Sequence, residues 1–462
     1  MQITSWQDFA GKNVALLGAG IENLALIPRL LAASAKVTVA DRGTRPDFPE
    51  LNPRVKLVTG DKYLEGLDQY DIVFRIAGLP VATLEKALKD LKIRPVVSSP
   101  TDLFLALSPC QTIGVTGSKG KGTTSTMIGS ILKASGKKVV VVGNIGRPMF
   151  DCFKDLERDS FAVIELSSFQ LEDLSHSPDI AVVLAITEND HLQPLSNQNP
   201  NYHASVNDYV AAKAQITMHQ SSQNHLVYVA DNDYSISIAQ VSKAKKTSVS
   251  QASKDADFFV DLAGVVWNEG KELVDLSKLG LRGQHVFLNT TVATAVSKIL
   301  NCREVDIAQG IANFQPLPHR LEQFAQIKGV VYVDDSYATA PEAAIAAIGT
   351  FESPIIWIAG GSTKGASFDV LARFIAQSTV KKAILIGQEA PKIQESLTHF
   401  AQNIPVETPK TLAEAVRLAK KSAKEGDVVL LSPACASKDM FQNAADRGDQ
   451  FKQLVKNAPK SV

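Results

Sequence analysis

The stretch GVTGSKGKGTTSTM, which runs from Gly114 to Met127, limits the possible folds more than any other part of the sequence. Its Gly120 and Lys121 fit the phosphate-loop pattern G-x-x-x-x-G-K-[ST], although Gly122 stands where that pattern has a hydroxyl residue. In such a loop, glycines let consecutive backbone N–H groups face an anion, and the start of the next helix adds its positive end. An apolar stretch precedes it and a helical pattern follows, as a phosphate loop requires. The stretch therefore predicts a nucleotide site rather than an ordinary glycine-rich turn.

The hydroxyl that is missing at position 122 is available one residue later. Thr123 and Thr124 follow at once, and a small shift in register would let a hydroxyl face a metal ion. A Mg²⁺ site also needs carboxylate ligands, and the apolar strand FAVIE delivers Glu165 at its carboxyl end, where open α/β sheets bind their ligands. A further strand, DIAVVLAIT, is followed by Asp190 and His191. This pattern makes His191 a candidate ligand of a second metal ion.

Three blocks of the sequence repeat the order strand, glycine-rich or polar turn, helix. Continuous apolar strands that alternate with helices indicate parallel sheets covered on both faces. We predict an α/β protein of three domains, each built on a mostly parallel sheet: a Rossmann-like domain over residues 1–103, a P-loop ATPase-like domain over 104–316 and a Rossmann-like domain over 317–462. The segment from about 230 to 282 is expected to hold an added antiparallel piece.

Charge and composition narrow the choice of partners. The 462 residues contain 48 Lys and Arg against 48 Asp and Glu, so the formal net charge is zero, which argues against nucleic acid or an anionic membrane as the main partner. At its start the sequence shows no signal-peptide pattern of basic residues followed by an apolar stretch. It shows no apolar run near the ~18 residues of a membrane span, and its four cysteines form no C-x-x-C pair. We expect a cytoplasmic protein that does not insert into a membrane, and we expect it to be monomeric.

The first domain carries a motif that has two interpretations. GAGIEN, from Gly18 to Asn23, follows a strand and departs from the dinucleotide fingerprint G-x-G-x-x-G only at its last residue. Asp41 lies where that fingerprint places an acid for the ribose. Taken alone, the motif favours an NAD-dependent oxidoreductase, but no hydride-transfer site stands out later in the chain. A non-catalytic nucleotide-binding regulator is a further alternative.

Several stretches together resemble the Mur ligases, the ATP-dependent amide ligases that build the peptide of peptidoglycan precursors. They occur in the family's order: GVTGSKGKGTT, GNIG, ELSSFQLE, DHL, YVAAKAQI, LPHRLE, DDSYATAPEA, GGSTKGASF and LLSPACASKDMF. ELSSFQLE and SPACAS are most similar to the member that adds D-glutamate to UDP-N-acetylmuramoyl-L-alanine. Related folylpolyglutamate synthases also have K-G-[ST] loops, so Gly122 fits this superfamily, with Thr123 as the metal hydroxyl.

The resemblance implies ATP and Mg²⁺ as cofactors. The residues that it places around ATP are Gly117, Ser118, Lys119, Gly120, Lys121, Gly122, Thr123, Thr124, Asn289, Arg320 and Asp335. The implied metal ligands are Thr123, Glu165, His191 and, once carbamylated, Lys213, which matches the family's carbamylated lysine. Lys121, His191 and Lys213 are the implied catalytic residues.

The resemblance also implies two substrates, UDP-N-acetylmuramoyl-L-alanine and glutamate. The residues implied for the UDP substrate are Gly20, Ile21, Asp41, Gly78, Asn144, Ser167, Gln170 and His191. The usual S-P-G of the UDP loop reads I-A-G here, and we expect Arg75, directly before it, to contact the pyrophosphate.

Three residues are implied for the incoming amino acid: Thr339, Lys364 and Ser437. We expect Ser437 to lie near a helix start, where backbone N–H groups favour a carboxylate. Tyr337, Lys438 and Ala444 depart from the residues that the family has at these positions, so the D configuration of the glutamate is inferred from the resemblance alone. The implied activity is the ATP-dependent addition of D-glutamate through an acyl phosphate. The alternatives are a related ligase that uses L-glutamate or another acceptor, such as a folylpolyglutamate synthase-like enzyme.

Overall fold

The computed structural model describes residues 3–43, 52–143, 147–188, 202–279, 281, 283–315, 318–339, 341–363 and 366–457. These residues divide into two compact units, the first ending at Phe314. The first unit contains two β-sheets and the second contains one. Within the described ranges, no helix is both long enough and apolar enough to cross a membrane.

The first sheet has five parallel strands in the order β3-β2-β1-β4-β5. The strands are β1 (Asn13–Leu17), β2 (Lys36–Asp41), β3 (Lys56–Thr59), β4 (Ile72–Arg75) and β5 (Val96–Ser98). The helices are α1 (Ile21–Ala32), α2 (Val81–Leu88) and α3 (Pro100–Leu107). The strand order reverses between β1 and β4, which opens a crevice at their carboxyl ends where such sheets bind ligands.

The second sheet has nine strands and carries the phosphate loop. Its strands are β6 (Gln111–Thr116), β7 (Lys138–Gly143), β8 (Ser160–Glu165), β9 (Ile180–Val183), β10 (His225–Val229), β11 (Lys245–Ser250), β12 (Phe258–Val260), β13 (Val265–Asn268) and β14 (Lys271–Asp275). Their order is β14-β13-β12-β11-β10-β9-β6-β8-β7. The seven strands β6 to β12 pair in parallel with their neighbours in the sheet. The pairs β12–β13 and β13–β14 are antiparallel. The predicted antiparallel addition is therefore confirmed.

Seven helices of the described ranges accompany this sheet. They are α4 (Lys121–Ala134), α5 (Met149–Cys152), α6 (Ser168–Leu171), α7 (Val206–Met218), α8 (Asp233–Val241), α9 (Gln284–Ile299) and α10 (Glu304–Ala312). Helix α4 packs against both α9 and α10, and its Met127, Ile128 and Ile131 are fully buried. The central strands β6, β8 and β9 are buried along most of their length because helices cover both faces of the sheet.

The third sheet forms the second unit. Its strands are β15 (Glu322–Ile327), β16 (Val330–Asp334), β17 (Ile355–Gly360), β18 (Val380–Ile386), β19 (Val406–Glu407) and β20 (Val428–Leu431). Their order is β15-β16-β20-β17-β18-β19, with only the edge strand β15 antiparallel. The helices are α11 (Pro341–Ile348), α12 (Asp369–Ile375), α13 (Ala390–Phe400), α14 (Leu412–Ser422) and α15 (Ala444–Lys456). Three mostly parallel sheets confirm the predicted fold class, while the boundaries at 103 and 316 stay predictions.

Arg75 ties the first sheet to the second within the first unit. Its side chain is 1% exposed, and all five N–H groups are used. Nε and Nη2 each donate to the Asp173 carboxylate over 2.7 Å, Nη2 also donates to Phe169 O, and Nη1 donates to Ile76 O and Leu79 O. The expected contact with a pyrophosphate is therefore wrong, because Arg75 has no donor left for a ligand.

Replacing Arg75 by methionine should lower the free energy of unfolding by about 3–5 kcal/mol, since it strands a partly buried carboxylate at Asp173. Urea unfolding followed by circular dichroism measures this loss. The matched control is Arg94→Met, which breaks the exposed Arg94–Glu85 pair at 2.7 Å and should cost less than about 1 kcal/mol. Equal losses in the two variants would contradict a structural role for Arg75.

Candidate active site

The phosphate loop joins β6 to α4 and is shaped by two glycines in the left-handed half of backbone space. Gly117 has φ +145° and Gly120 has φ +83°. A Cβ at Gly117 would lie 2.6 Å from Leu184 Cβ, and a Cβ at Gly120 would lie 2.6 Å from Asn289 Oδ1. The loop therefore lies against the residues after β9 on one side and against α9 on the other. These contacts place Asn289 beside the loop, and its contact with ATP stays a prediction.

Two lysine side chains converge on one carbonyl group of this loop. Lys121 Nζ donates to Gly117 O over 2.9 Å and to Ser118 O over 2.8 Å. Lys213 Nζ, from α7, donates to the same Gly117 O over 2.9 Å and to Thr116 Oγ1 over 3.5 Å. Lys213 is only 1% exposed. Two ammonium groups beside a glycine-rich helix start make this region electropositive, which suits a phosphate group.

Tyr209 connects Lys213 to the loop, and sequence reasoning did not single it out. Its hydroxyl lies 3.0 Å from Ser118 Oγ, and its ring lies 4.4 Å below Lys213 Nζ. Ser118 Oγ also accepts the N–H of Thr187 over 2.9 Å. Tyr209 lies four residues before Lys213 on α7, so the helical period puts both on one face. That spacing within YVAAKAQI was the available signal.

Glu165 lies at the same edge of the sheet as the loop. It ends β8, is 4% exposed, and aligns with Val115 of β6 and Gly143 of β7 in the two parallel pairings. Thr123 lies half-buried in the first turn of α4. A carboxylate and a hydroxyl at the carboxyl edge of a parallel sheet are the ligand types that Mg²⁺ prefers. His191, the predicted partner of this pair, lies outside the described residues.

Ser167 and Gln170 are bonded to each other rather than left free for a ligand. Ser167 Oγ donates to Gln170 Oε1 over 2.9 Å and accepts the Gln170 N–H over 3.3 Å, which caps the short helix α6. Gln170 is 8% exposed. The cap holds both side chains in fixed positions directly after Glu165. Their role in substrate binding stays a prediction, and Asn144 lies outside the described residues.

Asp41 braces the glycine turn of the first sheet. Its carboxylate accepts the N–H of Ala19 over 2.6 Å and that of Gly43 over 2.7 Å. Gly20 precedes the first turn of α1, and Ile21 after it is 67% exposed. Gly78 lies in the turn after β4, at the neighbouring carboxyl end. These residues therefore border the crevice between β1 and β4.

In the second unit, Asp335 is held inside its own domain. Ser432 Oγ donates to its Oδ2 over 2.8 Å, and the Leu321 N–H donates to its Oδ1 over 3.2 Å. Asp335 is 7% exposed, and burial raises its pKa to about 7 although both hydrogen bonds lower it. Arg320 is exposed, and its guanidinium lies 5.5 Å from the centre of the Tyr337 ring.

The residues predicted for the amino acid follow neighbouring parallel strands. Thr339 comes five residues after β16 and is half-buried, and Ser437 comes six residues after β20 and is 4% exposed. Lys364 lies outside the described residues. The expected helix start at Ser437 is wrong, because a turn follows in which Phe441 N–H donates to Ser437 O, and α15 begins only at Ala444.

Comparisons with known proteins agree with this geometry. The family model of the Mur ligase middle domain matches residues 115–297, and that of the Mur ligase, glutamate ligase domain matches residues 319–435. The chain is 36% identical to the UDP-N-acetylmuramoylalanine–D-glutamate ligase of Symbiobacterium thermophilum, over 96% of this chain and 98% of that protein. It is 35% identical to the enzyme of that name from Acetivibrio thermocellus, over 96% of each chain.

Solved structures share the fold at lower identity. The UDP-N-acetylmuramate-alanine ligase of Thermotoga maritima superposes with a TM-score of 0.58 at 16% identity, over 96% of this chain and 99% of that one. The MurF ligase of Thermotoga maritima in complex with ADP has a TM-score of 0.55 at 16% identity, over 98% and 96%. The phosphate loop and its lysines define a nucleotide-dependent enzyme. The chain belongs to the Mur ligase family of ATP-dependent ligases.

Replacing Gly117 by alanine should weaken ADP binding at least roughly tenfold, because φ +145° and the contact with Leu184 together strain the loop. Isothermal titration calorimetry measures the affinity. Gly136→Ala is the matched control, since Gly136 has φ +74° with no atom within 4 Å of an added Cβ. It should cost some stability and leave ADP affinity unchanged. Unaltered ADP affinity in Gly117→Ala would place the nucleotide elsewhere.

Burial of Asp335 also predicts a pH dependence of stability. Its pKa in the folded protein, about 7, exceeds the ordinary 3.8, so the folded state binds more protons between these values. The free energy of unfolding contributed by this group should therefore fall as pH rises from about 4 to about 7, by a few kcal/mol at most. Asp335→Asn mimics the protonated acid.

Urea unfolding at pH 5 and pH 8 tests this prediction. In Asp335→Asn, the free energy of unfolding should decrease less between pH 5 and pH 8 than in the parent. In Asp90→Asn, at an exposed position, the decrease should equal that of the parent. Parallel curves for the parent and Asp335→Asn would show that Asp335 ionises normally in the folded protein.

Proposed function

We propose that the protein adds D-glutamate to UDP-N-acetylmuramoyl-L-alanine, with ATP hydrolysed to ADP and phosphate. The observation that carries this proposal is the convergence of Lys121 and Lys213 on Gly117 O, next to Glu165 at the same sheet edge. The near full-length similarity to relatives of that name supports the choice of substrates.

The electropositive loop answers the chemical difficulty of the reaction. An amine cannot displace an oxide ion from a carboxylate in water, because oxide is too poor a leaving group. The carboxylate must therefore be activated first. Transfer of the γ-phosphoryl group of ATP to the alanyl carboxylate gives an acyl phosphate. The amine of glutamate then attacks the carbonyl carbon, the C–O bond to phosphate breaks, and phosphate leaves. Catalysis of the first step consists largely of positioning and neutralisation of charge, the role we assign to Lys121 and the N–H groups of residues 117–124.

The residues present fit Mg²⁺. Glu165 and Thr123 offer a carboxylate and a hydroxyl at the loop, and His191 would join them. Carbamylation of the buried Lys213 amine would replace a cation by anionic oxygen ligands, which a hard metal ion prefers. Bound there, the ion would neutralise charge on the transferred phosphoryl group. Gly117 O would still accept the remaining N–H of the carbamylated side chain, as it accepts Lys213 Nζ now.

The remaining predicted residues come from all three sheets, and we assign them to different parts of the substrates. Around the crevice of the first sheet, Gly20, Ile21, Asp41 and Gly78 would contact UDP, and Asn144, Ser167, Gln170 and His191 would contact the muramoyl-alanine part. Asn289, Arg320 and Asp335 would contact adenosine. Asp335 would do so as part of a rigid wall, because its carboxylate is already bonded to Ser432 and Leu321. Thr339, Lys364 and Ser437 would bind glutamate.

A panel of D- and L-amino acids tests the proposal. Phosphate release from ATP, with UDP-N-acetylmuramoyl-L-alanine as acceptor, should require D-glutamate. Lys121→Ala should lose nearly all turnover while it keeps the parent's circular dichroism spectrum, since it removes several kcal/mol of transition-state stabilisation. Lys364→Ala should lose most turnover, and Lys421→Ala, on the exposed surface of α14, should retain it.

The outcomes separate the parts of the proposal. Turnover with L-glutamate alone would overturn the D configuration. Turnover only with a different acyl acceptor would overturn the assignment of the UDP substrate. An active Lys121→Ala would show that the loop does not hold the reacting phosphate.

A further inference from the structure

The turn that presents Arg320 is strained and firmly held. His319 has φ +62° and Leu321 has φ +47°, so two residues with side chains adopt left-handed backbone on either side of Arg320. Such conformations cost of the order of 1–3 kcal/mol each and persist only where the surroundings enforce them. Contacts with surrounding residues must therefore hold the turn in this conformation.

Three carboxylates enforce this turn. His319 Nδ1 bonds to Asp334 Oδ2 over 2.7 Å, and the His319 N–H donates to Glu322 Oε2 over 2.9 Å. On the other side, the Leu321 N–H donates to Asp335 Oδ1 over 3.2 Å. With both neighbours of Arg320 fixed, its backbone has no freedom, and its side chain is directed outward to solvent.

Two of these carboxylates lie close to His319 in an arrangement that resembles a metal site. His319, Glu322 and Asp334 have ligand atoms within 4.8 Å of one another, as a metal centre would need. However, Lys452 Nζ lies 3.0 Å from Glu322 Oε2 and 3.8 Å from Asp334 Oδ2, so an ammonium already supplies the positive charge. The cluster is an ion-pair network that holds the turn.

The aromatic ring of Tyr337 lies beside the Arg320 side chain. Its ring centre lies 5.5 Å from the Arg320 guanidinium carbon and 5.7 Å from the centre of the His319 ring. Its backbone N–H donates to His319 O over 3.1 Å, so the main chain of Tyr337 is tied to the turn. Tyr337 is 43% exposed, and an aromatic ring left this open gains little stability for the fold.

We infer that Tyr337 is a positioning residue that holds the Arg320 guanidinium ready for the nucleotide. The inference rests on the proposed function, in which Arg320 contacts ATP. An aromatic face attracts a guanidinium, and the Arg320 guanidinium lies over the Tyr337 ring. Because the guanidinium is already oriented by the ring, less side-chain entropy is lost when it binds an anionic ligand.

A double-mutant cycle on Arg320 and Tyr337 tests this role. Tyr337→Leu should raise the KM for ATP and the Kd for ADP about two- to fivefold, the range that corresponds to an exposed cation–π contact of about 0.5–1 kcal/mol, while kcat stays within about twofold of the parent. Tyr337→Phe keeps the ring and should match the parent. In an Arg320→Ala background, Tyr337→Leu should change neither KM nor Kd further.

Each other result overturns the inference in a recognisable way. Tyr337→Leu that binds ADP like the parent shows that the ring does not position Arg320. An equal effect of Tyr337→Leu with and without Arg320 shows that Tyr337 contacts the ligand itself. An Arg320→Ala variant with parental KM for ATP and Kd for ADP removes the nucleotide role of Arg320, and the amino-acid panel then decides separately whether the ligase assignment survives. Melting temperatures within a few degrees of the parent show that the variants are folded.

Discussion

The position of the phosphate loop depends on a lysine that is buried almost completely. Lys213 Nζ reaches Gly117 O from α7, while Tyr209 of the same helix bonds to Ser118. A buried ammonium is costly unless it is compensated, and here Gly117 O, Thr116 Oγ1 and the Tyr209 ring all contact it. By joining α7 to the loop between β6 and α4, it sets where the backbone N–H groups point. The carboxylate of Glu165 is then at the right edge because β8 runs parallel to β6.

Many polar side chains around the candidate site form hydrogen bonds that stabilise the protein itself. Arg75 bonds to Asp173 and backbone carbonyls and lies 3.8 Å from Glu172 Oε2, and Asp41 accepts two N–H groups of its own turn region. Asp335 is satisfied by Ser432 and Leu321. A reaction that depends on the placement of a phosphoryl group benefits from such rigidity, because a fixed polar environment needs no reorganisation when charge develops. Residues that look like ligands in the sequence can therefore be supports in the fold.

The predictions that held rest on local patterns. The loop, its lysine and the strand–helix context lie within one short stretch, and the period of apolar residues indicated three parallel sheets. One prediction failed because of a contact between distant segments: Arg75 binds Asp173, 98 residues away. The other failed locally, because the single turn that Phe441 N–H closes on Ser437 O is not continued and the next helix begins only at Ala444. Tyr209 was missed because its importance lies in its contact with Ser118, 91 residues earlier.

The sequence alone determined the fold class, the phosphate loop and the identity of the charged residues near it, because strand and helix periods and glycine requirements are properties of short segments. Only the tertiary structure decided how those residues are used. In the folded chain, Lys121 and Lys213 donate to one carbonyl oxygen, and Arg75 forms an ion pair with Asp173. The Tyr337 ring lies against the Arg320 guanidinium. The physical reason is that a polar side chain bonds to whatever the packing of distant elements places within about 3 Å, and that packing cannot be read from the residue's own neighbours.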